Sequence, residues 1–221
     1  CSEEFPDVVA YDGLEAFYDA IDAVYVATPH LNHYGNIKEA LLARKHVLCE
    51  TPMVLKGGEA KELFKLAEDN GLVLMEANKT AHCPAFNHLM VIIKSGSIGE
   101  VVDIEASLSQ LLDKNGREFN PVQAGGSMFG GGKLSLIAYH KADGDGIPLF
   151  GFLFADGGWD RCLYPRNFRY PKATCSFKVG LGVKTEGDLV VSGTKGYAYV
   201  PAPWWKTDYF EMRYEDQNEN K

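Results

Sequence analysis

The chain has 221 residues, 46% hydrophobic and 24% charged, with 22 Lys+Arg against 30 Asp+Glu and a net charge of −8. That composition is globular and excludes collagen, low-complexity and wholly disordered classes, and the length holds one or two domains with a core that needs no disulfide staples. An acidic balance without a Lys/Arg cluster argues against recognition of nucleic acid phosphates.

The first 80 residues alternate strand and helix. Ala23-Val24-Tyr25-Val26-Ala27 is apolar on both faces, as a parallel, doubly covered strand is, and it stops at Thr28-Pro29. Tyr34 to Ala43 reads as a helix with Ile37, Leu41 and Leu42 inward. His46-Val47-Leu48-Cys49 is the next strand, stopped by Pro52. Ala60, Leu63, Phe64 and Ala67 then fall on one helical face, and Asn70-Gly71 ends that helix. Leu72-Val73-Leu74-Met75 is a third strand. Strands joined by helices mean βαβ units and a parallel sheet.

After Glu76 the pattern changes. Pro84 opens a helix with Phe86, Leu89, Met90 and Ile93 on one face, and Gly96 and Gly99 bracket a turn. Val102, Ile104, Ala106 and Leu108 alternate with Asp103, Glu105, Ser107 and Ser109, the mark of a strand with one apolar and one polar face. Further strands are expected at Ser176–Leu181, Leu189–Ser192, Tyr197–Val200 and Tyr209–Tyr214, with a fraying acidic tail from Glu211. The fold class is α/β: a partial Rossmann-type parallel sheet over residues 1–80, then an α+β domain with a mostly antiparallel open sheet over 81–221.

The five cysteines (Cys1, Cys49, Cys83, Cys162, Cys175) are odd in number and contain no C-x-x-C. They read as free thiols of a reducing compartment, so a cytoplasmic location is expected. No apolar run approaches the roughly 20 residues of a bilayer-spanning helix, and the N-terminus lacks a secretory pattern. The first residue is Cys, as in a fragment or a chain missing its start.

Ligands of doubly wound sheets sit at the carboxyl ends of the strands. Two such ends carry chemistry here: Ala27-Thr28-Pro29-His30-Leu31-Asn32-His33 and Cys49-Glu50-Thr51-Pro52. Together they offer hydroxyls, a carboxylate and imidazoles to a polar ligand. The plain structural alternative is that Thr28 and Asn32 cap a helix while the prolines end strands. A metal set of His30, His33 and Glu50, serving an isomerase, is a third reading.

The stretch Ile21–Pro29, then His33, then Lys45-His46-Val47-Leu48-Cys49-Glu50-Thr51-Pro52, resembles the Gfo/Idh/MocA family of nicotinamide-dependent oxidoreductases. Glu76-Ala77, Pro84, Lys94–Glu100 and Gly193-Thr194-Lys195-Gly196-Tyr197 continue the match, which covers roughly residues 8–128 and 168–214. The resemblance implies a Rossmann domain, then a substrate and oligomerisation domain whose open sheet pairs copies. It implies NAD or NADP and hydride transfer at a hydroxyl carbon of a sugar or polyol. It places Thr28, Pro29, His33, Glu50 and Pro52 beside the nicotinamide end, with a cis bond before Pro52.

Three departures follow. The 221 residues contain no G-x-G-x-x-G loop, the usual anchor of a pyrophosphate, so this polypeptide alone is expected to bind the dinucleotide weakly. The family's catalytic lysine is Thr51 here; a threonine hydroxyl is a poor acid or base, and Lys79 is a nearby candidate replacement. The family's acid and histidine after a Gly-rich turn find no good match. In one register the histidine is His140, with Asp143 three residues on, but the acid falls on Leu136; in the other the two positions fall on Gly131 and Ser135. His140 is the candidate acid/base. An alternative to the enzyme is a catalytically silent homologue that acts as an oligomerising or sugar-binding module.

Two expectations concern stability and assembly. Residues 129–167, rich in Gly and Asp without clear periodicity, should open more readily than the flanking strands. The second sheet, with Trp204, Trp205, Tyr209 and Phe210, should expose an apolar face and self-associate.

Overall fold

The computed structural model describes residues 5–113, 115–125, 163–169 and 172–221. The chain divides into two compact units, Cys1–Ala77 and Asn78–Lys221.

The first unit runs α1 (Leu14–Asp19), β1 (Ala23–Val26), α2 (His33–Leu42), β2 (His46–Cys49), α3 (Gly57–Asp69) and β3 (Leu74–Glu76). Its three strands lie in the order β1-β2-β3, both pairs parallel, with Val26 beside Cys49 and Cys49 beside Glu76. Parallel pairing needs a crossover, and α2 and α3 supply it. Ile37, Ala40 and Leu41 of α2 and Leu63 of α3 are fully buried, each on the face the 3.6-residue period assigns inward. Phe64, expected inward, is 44% exposed; it lies at the margin of a stripe already filled by Ala60, Leu63 and Ala67. Leu42, also expected inward, is 62% exposed. The third strand is shifted to Leu74–Glu76, because Leu72 N–H closes the end of α3 on Ala67 O at 2.8 Å.

The second unit holds α4 (Lys79–His82), α5 (Pro84–Lys94), β4 (Val101–Gln110), β5 (Leu163–Arg169), β6 (Thr174–Leu181), β7 (Leu189–Gly193), β8 (Gly196–Val200) and β9 (Glu211–Tyr214). Its sheet has the order β5-β6-β4-β7-β8-β9. β4 and β6 are parallel and every other pair is antiparallel, so the sheet is mixed. The core lies on one face. Phe86, Leu89, Met90 and Ile93 of α5 pack with Ile104, Phe177, Val191 and Trp204.

Two glycine-bearing turns lock together beside this core. Gly99 has φ +79°, and a Cβ there would meet Thr194 Oγ1 at 2.2 Å; a Cβ on Gly193 would meet Ile98 O at the same distance. The close approach lets Lys195 N–H donate to Ile98 O at 2.9 Å and Thr194 N–H to Glu100 O at 3.0 Å. Only glycine combines that conformation with that proximity.

Several expectations for this unit are corrected. Trp204 is fully buried rather than exposed, and Trp205 and Phe210 pack partly against the core; Tyr209 alone of the four stays 54% exposed. The indole finds a buried acceptor, Ser107 O at 3.0 Å, which makes the interior the favourable place for it. The open face of the sheet is polar, not apolar. Glu105, Ser107, Ser176, Lys178, Glu186 and Asp188 line a groove of about 420 Å³ on it. Ser107 and Ser109 of the polar face are themselves buried, because Gly187 N–H and Thr185 N–H donate to their hydroxyls at 2.7 Å. The C-terminus does not fray: Met212 and Lys221 exchange backbone hydrogen bonds of 2.8 and 3.0 Å. Most of 129–167 lies outside the described residues, and its end belongs to β5, a strand the aperiodic sequence did not announce.

Cys175 on β6 is fully buried, and burial pushes its thiol up to about 12 from 9.0. The neutral thiol is thus favoured by folding. Its contribution is complete below the unfolded value and is lost as pH rises from about 9 towards 12, where only the unfolded state gives up its proton. Unfolding titrations of the second unit should show stability falling over that window, with a shallower fall in Cys175→Ala.

Candidate functional site

The parallel ladder of the first unit continues one step past its strands. Glu50 N–H donates to Val26 O at 2.9 Å, and Ala77 N–H donates to Cys49 O at 2.7 Å. All three carboxyl ends are therefore held on one rim, and a chemistry-bearing residue stands at or just past each: Thr28, Glu50 and Glu76. Thr28 and Pro29 are exposed, and Glu50 and Thr51 are half-buried. Thr28 Oγ1 accepts from Asn36 Nδ2 of α2 at 2.9 Å, which fixes its hydroxyl. Asn32 stands at the N-terminus of α2 but makes no side-chain cap.

The loop after β2 is held from several sides. The Thr51–Pro52 bond is cis, as the resemblance implies. Glu50 Oε2 accepts from Thr51 N–H at 3.2 Å, and Tyr25 Oη of β1 donates to Glu50 Oε1. That bond raises the Tyr25 hydroxyl above the ordinary tyrosine value, because the carboxylate holds its proton. Glu76 Oε1, at the end of β3, accepts from Met53 N–H at 2.8 Å. Pro52 and Met53 are buried, so the Thr51 side chain projects from a fixed base.

His33 is fully buried, with Nδ1 2.8 Å from Pro52 O and Nε2 2.7 Å from Thr28 O. The His30 ring stands edge-on to it at 5.7 Å. No cluster of three or more His, Cys, Asp or Glu side chains suited to a metal exists among the described residues, and His33 has both nitrogens on backbone carbonyls. The set of His30, His33 and Glu50 is thus not assembled as a metal site. Lys79 belongs to the second unit, exposed on α4. That helix is anchored there by Asn78, which caps it on Ala81 N–H, and by Thr80 Oγ1 donating to Trp205 O at 2.8 Å. His140 and Asp143 lie outside the described residues.

Sequence reasoning missed Tyr25 and Asn36, which orient Glu50 and Thr28. The signal for Tyr25 was a hydroxyl inside an otherwise apolar strand. For Asn36 it was an amide on the first turn of the helix that follows the Thr-Pro loop.

Residues 2–78 match the model of an oxidoreductase family with an NAD-binding Rossmann fold. Trans-1,2-dihydrobenzene-1,2-diol dehydrogenase of Sus scrofa is 28% identical over 190 residues, 84% of this chain and 56% of that protein. D-xylose 1-dehydrogenase (NADP(+)) of Hypocrea jecorina is 40% identical over 89 residues, 40% of this chain and 23% of that enzyme. The chain spans about half the length of the dihydrodiol dehydrogenases it matches. A crystal structure of a 3-ketoreductase from Actinomadura kijaniata with NADP and TDP-benzene superposes with a TM-score of 0.77 at 21% identity, covering 100% of this chain and 70% of that one. An aldose-aldose oxidoreductase from Caulobacter crescentus, complexed with glycerol, also gives 0.77, at 23% identity over 94% of this chain and 66% of its own. These structures share the fold. The motifs at the strand ends and the dehydrogenase relatives agree with the match of residues 2–78 to the Gfo/Idh/MocA oxidoreductase family.

The rim's chemistry fits one end of the cofactor that this family implies. Residues 26–33, 49–53 and 74–77 offer a fixed hydroxyl, carboxylates and backbone groups, and contain no Lys or Arg. Such a set suits the carboxamide and ribose hydroxyls of a nicotinamide nucleoside. It does not suit a pyrophosphate, which calls for cations or a row of backbone amides.

Proposed function

We propose that the protein works in hydride transfer between NAD or NADP and a hydroxyl carbon of a sugar or polyol derivative. The observation that carries this reading is the single rim on which the Thr28-Pro29 loop and the Glu50-Thr51-Pro52 loop meet, each fixed by hydrogen bonds. Bound there, the nicotinamide ring supplies or accepts the hydride. Thr28 and Pro29, exposed on the rim, would face the ring, and the buried Pro52 with its cis bond would hold the second loop in place beneath it. Glu50, oriented by Tyr25, accepts from a ribose or substrate hydroxyl. Thr51 supplies a hydrogen-bonding hydroxyl, and Lys79 and His140 move the proton at the reacting oxygen. The dehydrogenase relatives favour an enzyme over a silent module.

A cytoplasmic location is part of the same reading, supported by the free thiols of Cys83 and Cys175. Among the described residues no helix is long and apolar enough to cross a membrane. A second copy of the chain is the partner proposed for the open sheet face. That face carries both signs of charge, with Lys178 bonded to Glu186 and Arg213 to Glu211, so the contact is polar.

The test is a spectrophotometric assay of NAD(P)+ reduction against a panel of aldoses, polyols and cyclic diols. Turnover with one member, lowered in Glu50→Ala, is the expected result. Saturable binding of a sugar without turnover on any member would install the silent module in its place.

A further inference from the structure

His33 joins the two loops of the rim, and we infer that it is a positioning residue which sets both of them from below without touching a ligand. This deepens the functional reading above and rests on it only for the use made of the rim. The imidazole is fully buried and spends both nitrogens on backbone carbonyls, Pro52 O at 2.8 Å and Thr28 O at 2.7 Å. A carbonyl only accepts, so a hydrogen bond to either oxygen is made through the ring N–H on that side.

The consequence is mechanical. His33 is the first residue of α2, and α2 is seated by the buried Ile37, Ala40 and Leu41. From that base the ring reaches Thr28 O, in the loop after β1, and Pro52 O, in the loop after β2. The two loops have other ties: Asn36 to Thr28 for the first, and Tyr25 to Glu50 and Glu76 to Met53 for the second. The His33 ring is bonded to both loops. Rigid placement of site loops requires such support from a packed element behind them.

Two substitutions separate the contacts. The side-chain nitrogen of Asn reaches the place of the histidine Nδ1, and that of Gln the place of Nε2. His33→Asn therefore keeps the bond to Pro52 and releases Thr28, whereas His33→Gln keeps Thr28 and releases Pro52. Hydrogen exchange by mass spectrometry on the full chain, without ligand, reads each loop. We expect His33→Asn to speed exchange across 27–32 by roughly tenfold while leaving 50–54 near wild type, and His33→Gln to do the converse. Each variant thus rescues its own loop, a pattern that loss of packing would not produce. Equal changes in both loops with both variants, or no change with either, would overturn the inference. So would uniform acceleration across the first unit. Failure of the wild-type chain to turn over any substrate would count against the hydride-transfer reading and leave this pattern as the measure of His33.

Discussion

Trp204→Ala should lower the unfolding free energy of the second unit by about 3–5 kcal/mol, the range for truncating a large buried aromatic. Trp204 is fully buried; its ring centroid lies 6.1 Å from that of Phe86 and stands edge-on to Trp205 at 6.3 Å. The substitution removes the ring from the middle of the core, between α5 and the sheet. It also leaves Ser107 O without the indole N–H it accepts from. Trp204→Phe separates the two effects: it keeps most of the apolar area and loses the hydrogen bond, at about 1–3 kcal/mol for a buried carbonyl left unpaired. Urea unfolding followed by circular dichroism checks both, through a lower midpoint at an unchanged slope. A loss under about 1 kcal/mol in the alanine variant would mean that the ring is not in the core.

Proton transfer gives the largest expected change in rate. In the proposed reaction the substrate hydroxyl loses a proton as its carbon loses a hydride, and positioned general acids and bases contribute roughly 10²–10⁴-fold to such steps. Thr51 stands where the family resemblance implies a lysine, and its hydroxyl does not titrate in the working range. Lys79→Met keeps the apolar stem, removes the ammonium and should lower kcat by about 10²-fold with little change in KM for the cofactor. Unchanged kcat in Lys79→Met would make Lys79 a solvated lysine at the start of a short helix.

The sequence made the first unit legible because two periods agree there. Apolar runs ended by Pro29 and Pro52 mark β1 and β2, and the spacing of Ile37, Leu41, Leu63 and Ala67 marks the helices that follow them. The polar partners were harder to see. His33 looked like a ligand of the rim because it ends the Thr-Pro motif, yet a histidine can lie behind a loop as readily as in front of it. Only the carbonyls of Thr28 and Pro52 reveal which. The Trp204-Trp205 cluster was misread for a related reason. Adjacent aromatics in a loop carry no period, and what draws Trp204 inside is Ser107 O, 97 positions away along the chain. β5 escaped notice because Leu163–Arg169 alternates neither cleanly nor for long, and its ladder to β6 supplies the order that local propensity does not. The direction of the β4–β6 pair was not readable either, since strand direction depends on the path between the strands.

The placement of the cofactor's nicotinamide end on the first unit's rim is tested most directly by backbone amide chemical shifts during titration with NADH and NADPH. A chain of 24.4 kDa is accessible to this measurement, and weak binding is no obstacle to it. The largest shifts should fall on Leu31, Glu50, Thr51, Met53 and Ala77, whose amides lie in or beside the three loops. Shifts absent from those loops, or concentrated on the polar open face around Glu105, Lys178 and Asp188, would contradict the account.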